Sequence, residues 1–348
     1  MKKLFLIPVA AMLFAACSNE TENTDNDGPV PLQVSASNIS VTTEVTTRAA
    51  NLSWGSGDQI GIIGVPTGYT PVAASNTTVV NGNTGKYSTT VTTATTYAAP
   101  AAFTDVIPVY LPANGTAIDV YGYYPWVDGT IEPTIVTANV KANQSDPSDY
   151  YASDFMRAFN NKTAINTSTG ELLGEGTAIT RANATTVLNF KHKLTKLVFN
   201  ISKGTSMTDA DIAAISSVTI SNQPTTATYN IYENGVASAT NPLKITDNSP
   251  EPITACNTVA ASSGTATYEV IVYPNKNGEV AIDNNNAGNR TVTITTGGQA
   301  YSFTIDSGTA FESGKQYTYT VTMQAAKLVV SAAITDWTPI AGGDKIAQ

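Results

Sequence analysis

Histidine occurs once in this chain, at His192, and cysteine twice, at Cys17 and Cys256. So small a supply excludes a His-rich metal centre, and neither a CxxC pair nor a Cys/His zinc spacing is present. With Cys17 covalently modified, Cys256 has no partner and no disulfide can form within the chain. Charge is scarce too. Only 13% of the 348 residues are charged, and 27 acidic residues against 18 basic ones leave a formal net charge of −9. Phosphate backbones require clustered Lys and Arg, so nucleic acid is excluded as a partner. A polybasic contact with an anionic membrane surface is excluded on the same ground. There is no Gly-x-Ser-x-Gly elbow and no phosphate-cradling loop.

What remains is 42% apolar residues set among Thr, Ser, Asn, Gly and Ala. That mixture suits many short strands joined by Gly, Asn and Pro turns. "LQVSASNISVTTEV" from Leu32 alternates apolar and polar residues, the period of a strand. "DQIGIIGV", "AIDVYGYYPWV", "SVTISN", "TYEVIVYP", "RTVTITTG", "QAYSFTID" and "KLVVSAAITDW" read the same way. In "KQYTYTVTM", Tyr317, Tyr319, Val321 and Met323 share one face and Thr318, Thr320 and Thr322 the other, a half-buried antiparallel strand. Helix is expected only at "MTDADIAAISS", capped by Thr208 or Asp209 with Ile212 and Ile215 on one face, and for a turn or two around "PSDYYASDFMRAF". Strand spacings of roughly 8 to 15 residues suggest β-sandwiches.

The first residues, "MKKLFLIPVAAMLFAAC", are a targeting segment. Lys2 and Lys3 precede an apolar stretch, Leu4 to Phe14, too short to span a bilayer. Ala15 and Ala16 then lead into Cys17, the pattern of a bacterial lipoprotein cleaved before Cys17 and acylated on it. The following "SNETENTDNDGP" is acidic and lacks apolar periodicity, so it reads as a flexible tether. The expected organisation is a signal peptide over 1–16, a tether over 17–31, an N-terminal β-sandwich domain over 32–186 and a C-terminal one over 187–348.

Catalytic chemistry is hard to place. His192 lies in "NFKHKLTKL", where Phe190, His192 and Leu194 alternate with Lys191, Lys193 and Thr195, and it reads as a packing histidine. "DNNNAGNRTVTI" from Asp283 begins like a calcium loop, but its twelfth residue is Ile294 where a bidentate Glu is needed. The pairs Asp209/Asp211 and Asp146/Asp149 sit at turns. Trp54, Trp126 and Trp337 could stack on sugars, but isolated tryptophans in sandwiches are more often core anchors. The last strand is more informative. Leu328, Val330, Ala332 and Ile334 face one way, and a terminal edge strand can either pair at home or complete another subunit's sheet. Physics alone leaves both open. The lone basic residue in "TTRAANLSWGSGDQIGI", Arg48, is either a surface charge or a cleavage point.

In order along the chain, the lipobox at Cys17, "TRA" before "WGSGDQIGI", "YGYYPW", "SDFMRAF", "VLNFKHKLTKLVFNI", "SGKQYTYTV" and the final "ITDW" resemble the fimbrillin family. More closely they resemble its Mfa-like branch, subunits of type V pili. The resemblance covers nearly the whole mature chain and rests on order and spacing. It implies an all-β fold of two tandem transthyretin-like antiparallel β-sandwich domains, no enzymatic activity and no cofactor. It implies export as an outer-membrane lipoprotein, then cutting by an Arg-specific surface protease that removes the first strand. On this sequence the cut maps between Arg48 and Ala49, and the removed strand to 32–45. The donor strand that refills the groove maps to 327–337, with Lys327, Leu328, Val330, Ala332, Ile334 and Trp337. The implied partners are other fimbrial subunits, in a homo- or hetero-polymer, and a host or bacterial adhesion ligand. The final location is the cell-surface fimbrium. Tip and anchor subunits share the fold, so a tip or anchor component, or a glycan-binding surface lipoprotein outside the shaft, is the alternative.

Overall fold

The computed structural model describes residues 28–38, 54–67, 85–90, 100–128, 135–160, 164–165, 172–173, 179–231, 243–246, 250–275, 280–281, 290–325 and 327–337. Cys17, Arg48, Ala49 and the first seven residues of the calcium-like segment, 283–289, lie outside them.

The first part of the chain contains β1 (Gln33–Asn38), β2 (Gln59–Pro66), β3 (Gly85–Ser88), β4 (Ala101–Ile107), β5 (Ile118–Tyr124), β6 (Ile135–Thr137), α1 (Pro147–Ala152), β7 (Met156–Phe159), β8 (Ala164–Ile165), β9 (Leu172–Leu173) and β10 (Thr185–His192). Seven of these form a closed barrel in the order β1-β10-β7-β5-β2-β3-β4. One strand makes the closure. β1 pairs parallel with β10 on one side and antiparallel with β4 on the other. Without β1 the other six strands are an open sheet with β10 and β4 as its edges.

The second part holds β11 (Thr195–Lys203), α2 (Asp209–Ala213), β12 (Ile215–Gln223), β13 (Ala227–Asn230), β14 (Leu243–Ile245), β15 (Glu251–Thr254), β16 (Cys256–Ser262), β17 (Thr265–Val272), β18 (Val280–Ala281), β19 (Arg290–Thr296), β20 (Gln299–Ile305), β21 (Lys315–Gln324) and β22 (Lys327–Asp336). A five-stranded sheet, β16-β17-β11-β21-β22, faces a four-stranded sheet, β15-β12-β19-β20. Their inner faces meet where Phe303 of β20 lies against Phe199 of β11 and Tyr319 of β21, with ring centroids 6.3 and 6.0 Å apart. The β19–β20 hairpin turns through Gly297 and Gly298, both at positive φ (53° and 79°). A two-residue turn of this hand matches strand twist and is open to glycine at no steric cost.

The two parts share packing. β2 and β5 are buried on both faces, because they lie between two cores. Ile60, Ile62, Ile118 and Val120 point into the barrel, while Ile63, Val65, Tyr121 and Tyr123 join the large core of the second part. Residues 135–155 also cross over. β6 pairs with β13, and the Gln144 amide clamps Ile271 from both sides, donating to its carbonyl at 2.8 Å and accepting from its N–H at 2.9 Å. Tyr150 of α1 donates to Glu269 at 2.5 Å, and Glu269 also holds Lys196 at 2.8 Å.

Three local expectations change. Phe190 to Thr195 is not one strand: β10 ends at His192 and β11 starts at Thr195. The intervening backbone is drawn two ways, the Lys193 N–H to Phe155 of the first part and the Leu194 carbonyl to Gly314 of the second. The expected boundary at 186/187 therefore falls inside β10, all of whose pairing is with β1 and β7. In α2, Thr208 is the cap and forms a capping box with Asp211, but the helix stops at Ala213 and Ile215 opens β12 instead of extending the helical face. Asp146 caps α1, with Pro147 as its first residue.

Candidate assembly site

The strand that closes the barrel is held by chemistry that could be supplied by another strand of the same shape. Leu32, Val34 and Ala36 point inward and are buried. Beneath them Trp54 packs edge-on to Phe103, Tyr124 and Phe190 at 5.1, 5.6 and 5.2 Å. The register is fixed on both sides: Val34 opposes Thr186 and Phe103, and Ala36 opposes Leu188 and Ala101. Just before β1, the Leu32 N–H bonds the Val109 carbonyl at 2.8 Å, and the Tyr87 hydroxyl bridges the same edge. That hydroxyl donates to the Leu32 carbonyl and accepts from the Val109 N–H, each at 3.1 Å. Removing β1 would leave two edges of backbone donors and acceptors, each costing about 1–3 kcal/mol if buried unpaired, over an apolar floor.

At the far end of the chain, β22 is the opposite case. It runs antiparallel to β21 from Lys327 to Asp336 and ends its sheet. Among its described side chains only Leu328 and Val330 pack partly on the core. Ser331 through Thr335 are exposed, Ile334 at 63%, and Val329 is 50% exposed. The strand is fastened at its end by Trp337, whose N–H bonds the Gly314 carbonyl at 3.0 Å. The indole stacks flat on His192, 4.2 Å away at 4°. His192 in turn is bonded through Nδ1 to Asp154 at 2.9 Å, both buried. The lone histidine is thus a packing residue at the junction of the two parts.

A family model described as fimbrillin-like matches residues 47–337. The chain belongs to the fimbrillin-like family. A Bacteroides uniformis protein named as the fimbrium subunit Fim1C is 30% identical, over 99% of this chain and 98% of that one. The crystal structure of a Bacteroides uniformis protein named for cell adhesion is similar with a TM-score of 0.60 at 26% identity, covering 90% of this chain and 99% of that one. A Bacteroides ovatus protein also named for cell adhesion shares the fold, with a TM-score of 0.56 at 16% identity and coverage of 90% and 99%.

In this fimbrillin-like chain the predicted donor residues are all on β22 or just after it, and the strand expected at 32–45 is described over Gln33–Asn38. The family match starts at residue 47, so β1 lies upstream of it. Trp54 and Trp337 are buried, whereas Trp126 is partly buried with the Lys86 ammonium 3.9 Å above its ring. Asp211 and Asp146 are spent on helix caps. Cys256 is buried, and burial pushes its thiol up to about 11, so it stays protonated and unreactive at neutral pH. Sequence reasoning missed Tyr87, whose only sequence signal is its alternation in "GKYS".

Tyr87 also sets a pH limit. Burial raises its phenol to about 12, and burial raises Tyr121 and Tyr319 to about 12 as well, against opposing pulls from Arg157 and Arg290. These groups are neutral in the fold and ionise near pH 10 when unfolded. Their contribution is complete below pH 10 and is lost as pH rises toward 12. Urea unfolding followed by circular dichroism should show a midpoint that begins to slip near pH 9, where the Cys256 thiol of the unfolded chain ionises, and falls steeply above pH 10. Tyr87→Phe, which has no phenol to ionise, should show a shallower alkaline fall from its own lower starting midpoint.

Proposed function

We propose that this chain is a structural subunit of a cell-surface fimbria that assembles by strand exchange and supports adhesion. It is exported as a lipoprotein acylated at Cys17 and carried to the outer membrane. An arginine-specific surface protease cuts between Arg48 and Ala49, and the N-terminal piece leaves with β1. A β22 strand from a neighbouring subunit then fills the slot between β4 and β10. The body on either side of this exchange is a pair of tandem transthyretin-like domains.

The observation that carries the reading is the position of β1. A single N-terminal strand closes the barrel and lies upstream of the predicted cut, so one peptide bond separates a closed subunit from one with an open slot. Membership of the fimbrillin-like family and the exposed terminal strand support it. The alternative, a tip or anchor component or a glycan-binding surface lipoprotein, keeps the same fold but retains β1 or ends the filament. N-terminal sequencing of the surface-extracted protein separates the two. The shaft reading expects Ala49 as the first residue. An intact chain blocked at an acylated Cys17 would overturn it.

A further inference from the structure

Two strands of this chain carry the same inward face. β1 and the residue before it read Leu32-Gln33-Val34-Ser35-Ala36-Ser37, and the start of β22 reads Leu328-Val329-Val330-Ser331-Ala332-Ala333. Four of the six positions are identical, and they include the three buried apolar residues of the stretch, Leu32, Val34 and Ala36; Ser37, which is also buried, is matched by Ala333. At home this stripe is poorly used. Leu328, Val330 and Ala332 lie opposite Met323, Val321 and Tyr319, which are buried, yet Ala332 is exposed. The same three side-chain types that fill the barrel beside and along β1 thus stand at the edge of the other sheet, Leu328 and Val330 partly covered and Ala332 exposed.

We propose that β22 of a second copy enters the barrel in one register, with Leu328 in the place of Leu32, Val330 in the place of Val34 and Ala332 in the place of Ala36. The inference rests on the exchange reading above and adds to it the register and the partner, a second copy of this chain. Chain direction is kept: the entering strand runs parallel to β10 and antiparallel to β4, as β1 does. Ser331 then faces Val187, as Ser35 does, and Ala333 faces Asn189. The floor built by Trp54, Phe103 and Phe190 receives side chains of unchanged size, so no repacking is required. Ile334, 63% exposed at home, passes to the position opposite Phe190 held by Asn38.

The match also says why a cut is needed. A slot that receives the same side chains from either strand cannot choose between them by inward packing. The resident strand wins because it is tethered, at an effective concentration in the millimolar range or above, while a neighbour's strand is free in solution. Cutting the chain ends that advantage.

The test is a cysteine-linking experiment on two full-length chains co-expressed in one host. One carries Val187→Cys, and the other carries Val329→Cys, Ser331→Cys or Ala333→Cys. Both are extracted together, treated with an arginine-specific protease and oxidised. Cys256 is buried and stays silent. The expected result is a polymer ladder in which only Ser331→Cys links to Val187→Cys. Links from Val329→Cys or Ala333→Cys instead would show a slipped register and overturn the inference while leaving strand exchange intact. A ladder with no link from any of the three would mean that another segment or direction fills the slot, which also overturns it. No ladder from any pair, or from the unsubstituted chain, would overturn the exchange reading itself.

Discussion

An Arg48→Gln chain is expected to stay monomeric after exposure to an arginine-specific protease, while the unsubstituted chain is expected to pass into a ladder resistant to SDS without boiling. The size of this effect follows from the tether. Burying the side chains of Leu32 and Val34 is worth about 1.5–3 kcal/mol each, and β1 has strand partners on both sides. A β22 strand offers much the same. With both strands equal in chemistry, an effective concentration in the millimolar range against micromolar subunits favours the resident strand roughly 1,000-fold, about 4 kcal/mol. Arg48→Gln keeps that advantage by keeping the bond. Because the substitution touches a polar stretch of sequence, the unfolding midpoint of the monomer should not move. A ladder from Arg48→Gln, equal to that of the parent chain, would show that assembly proceeds without this cut.

Ala332→Arg separates folding from assembly in the other direction. In the free subunit Ala332 is exposed on an edge strand, so an arginine there costs no more than about 0.5 kcal/mol. In the proposed filament the same position would take the place of Ala36, which is fully buried. A guanidinium would then be forced into an apolar barrel without a partner, at a cost of several kcal/mol. Assembly should fall at least about 100-fold, since each 1.4 kcal/mol is tenfold, with a normal thermal midpoint for the monomer. The mirror substitution, Ala36→Arg, should destabilise the uncut precursor itself. Sedimentation velocity after protease treatment reads the first effect and differential scanning calorimetry the second. Normal assembly of Ala332→Arg would mean that this residue does not enter the barrel.

The strands β12, β17, β19 and β21 of the second part were legible because each keeps one face in the core, whereas β13 to β16 went unread. β21 keeps strict alternation, and its Tyr317, Tyr319, Val321 and Met323 are the buried set. β2 and β5 do not alternate, since each is wedged between two cores. Their near-continuous apolar runs say "strand" without saying which way each residue points. The closure of the barrel was not legible at all. It depends on a parallel pairing of β1 with β10, about 150 residues away, and no local pattern encodes a contact of that range. The break at Lys193–Leu194 was hidden for a related reason. The alternation of Phe190, His192 and Leu194 runs unbroken through it, while two backbone bonds to different parts of the fold decide the bend. His192 was readable as a packing residue, but its bond to Asp154 and its stack on Trp337 join residues far apart in sequence.

The most direct measurement is the structure of the assembled filament by cryo-electron microscopy, read at the slot between β4 and β10. The account predicts density there for residues 327–337 of a neighbouring subunit, with Leu328, Val330 and Ala332 over Trp54, and none for residues 32–38 of the subunit itself. Density for a subunit's own Leu32, Val34 and Ala36 in that slot within the filament would contradict it.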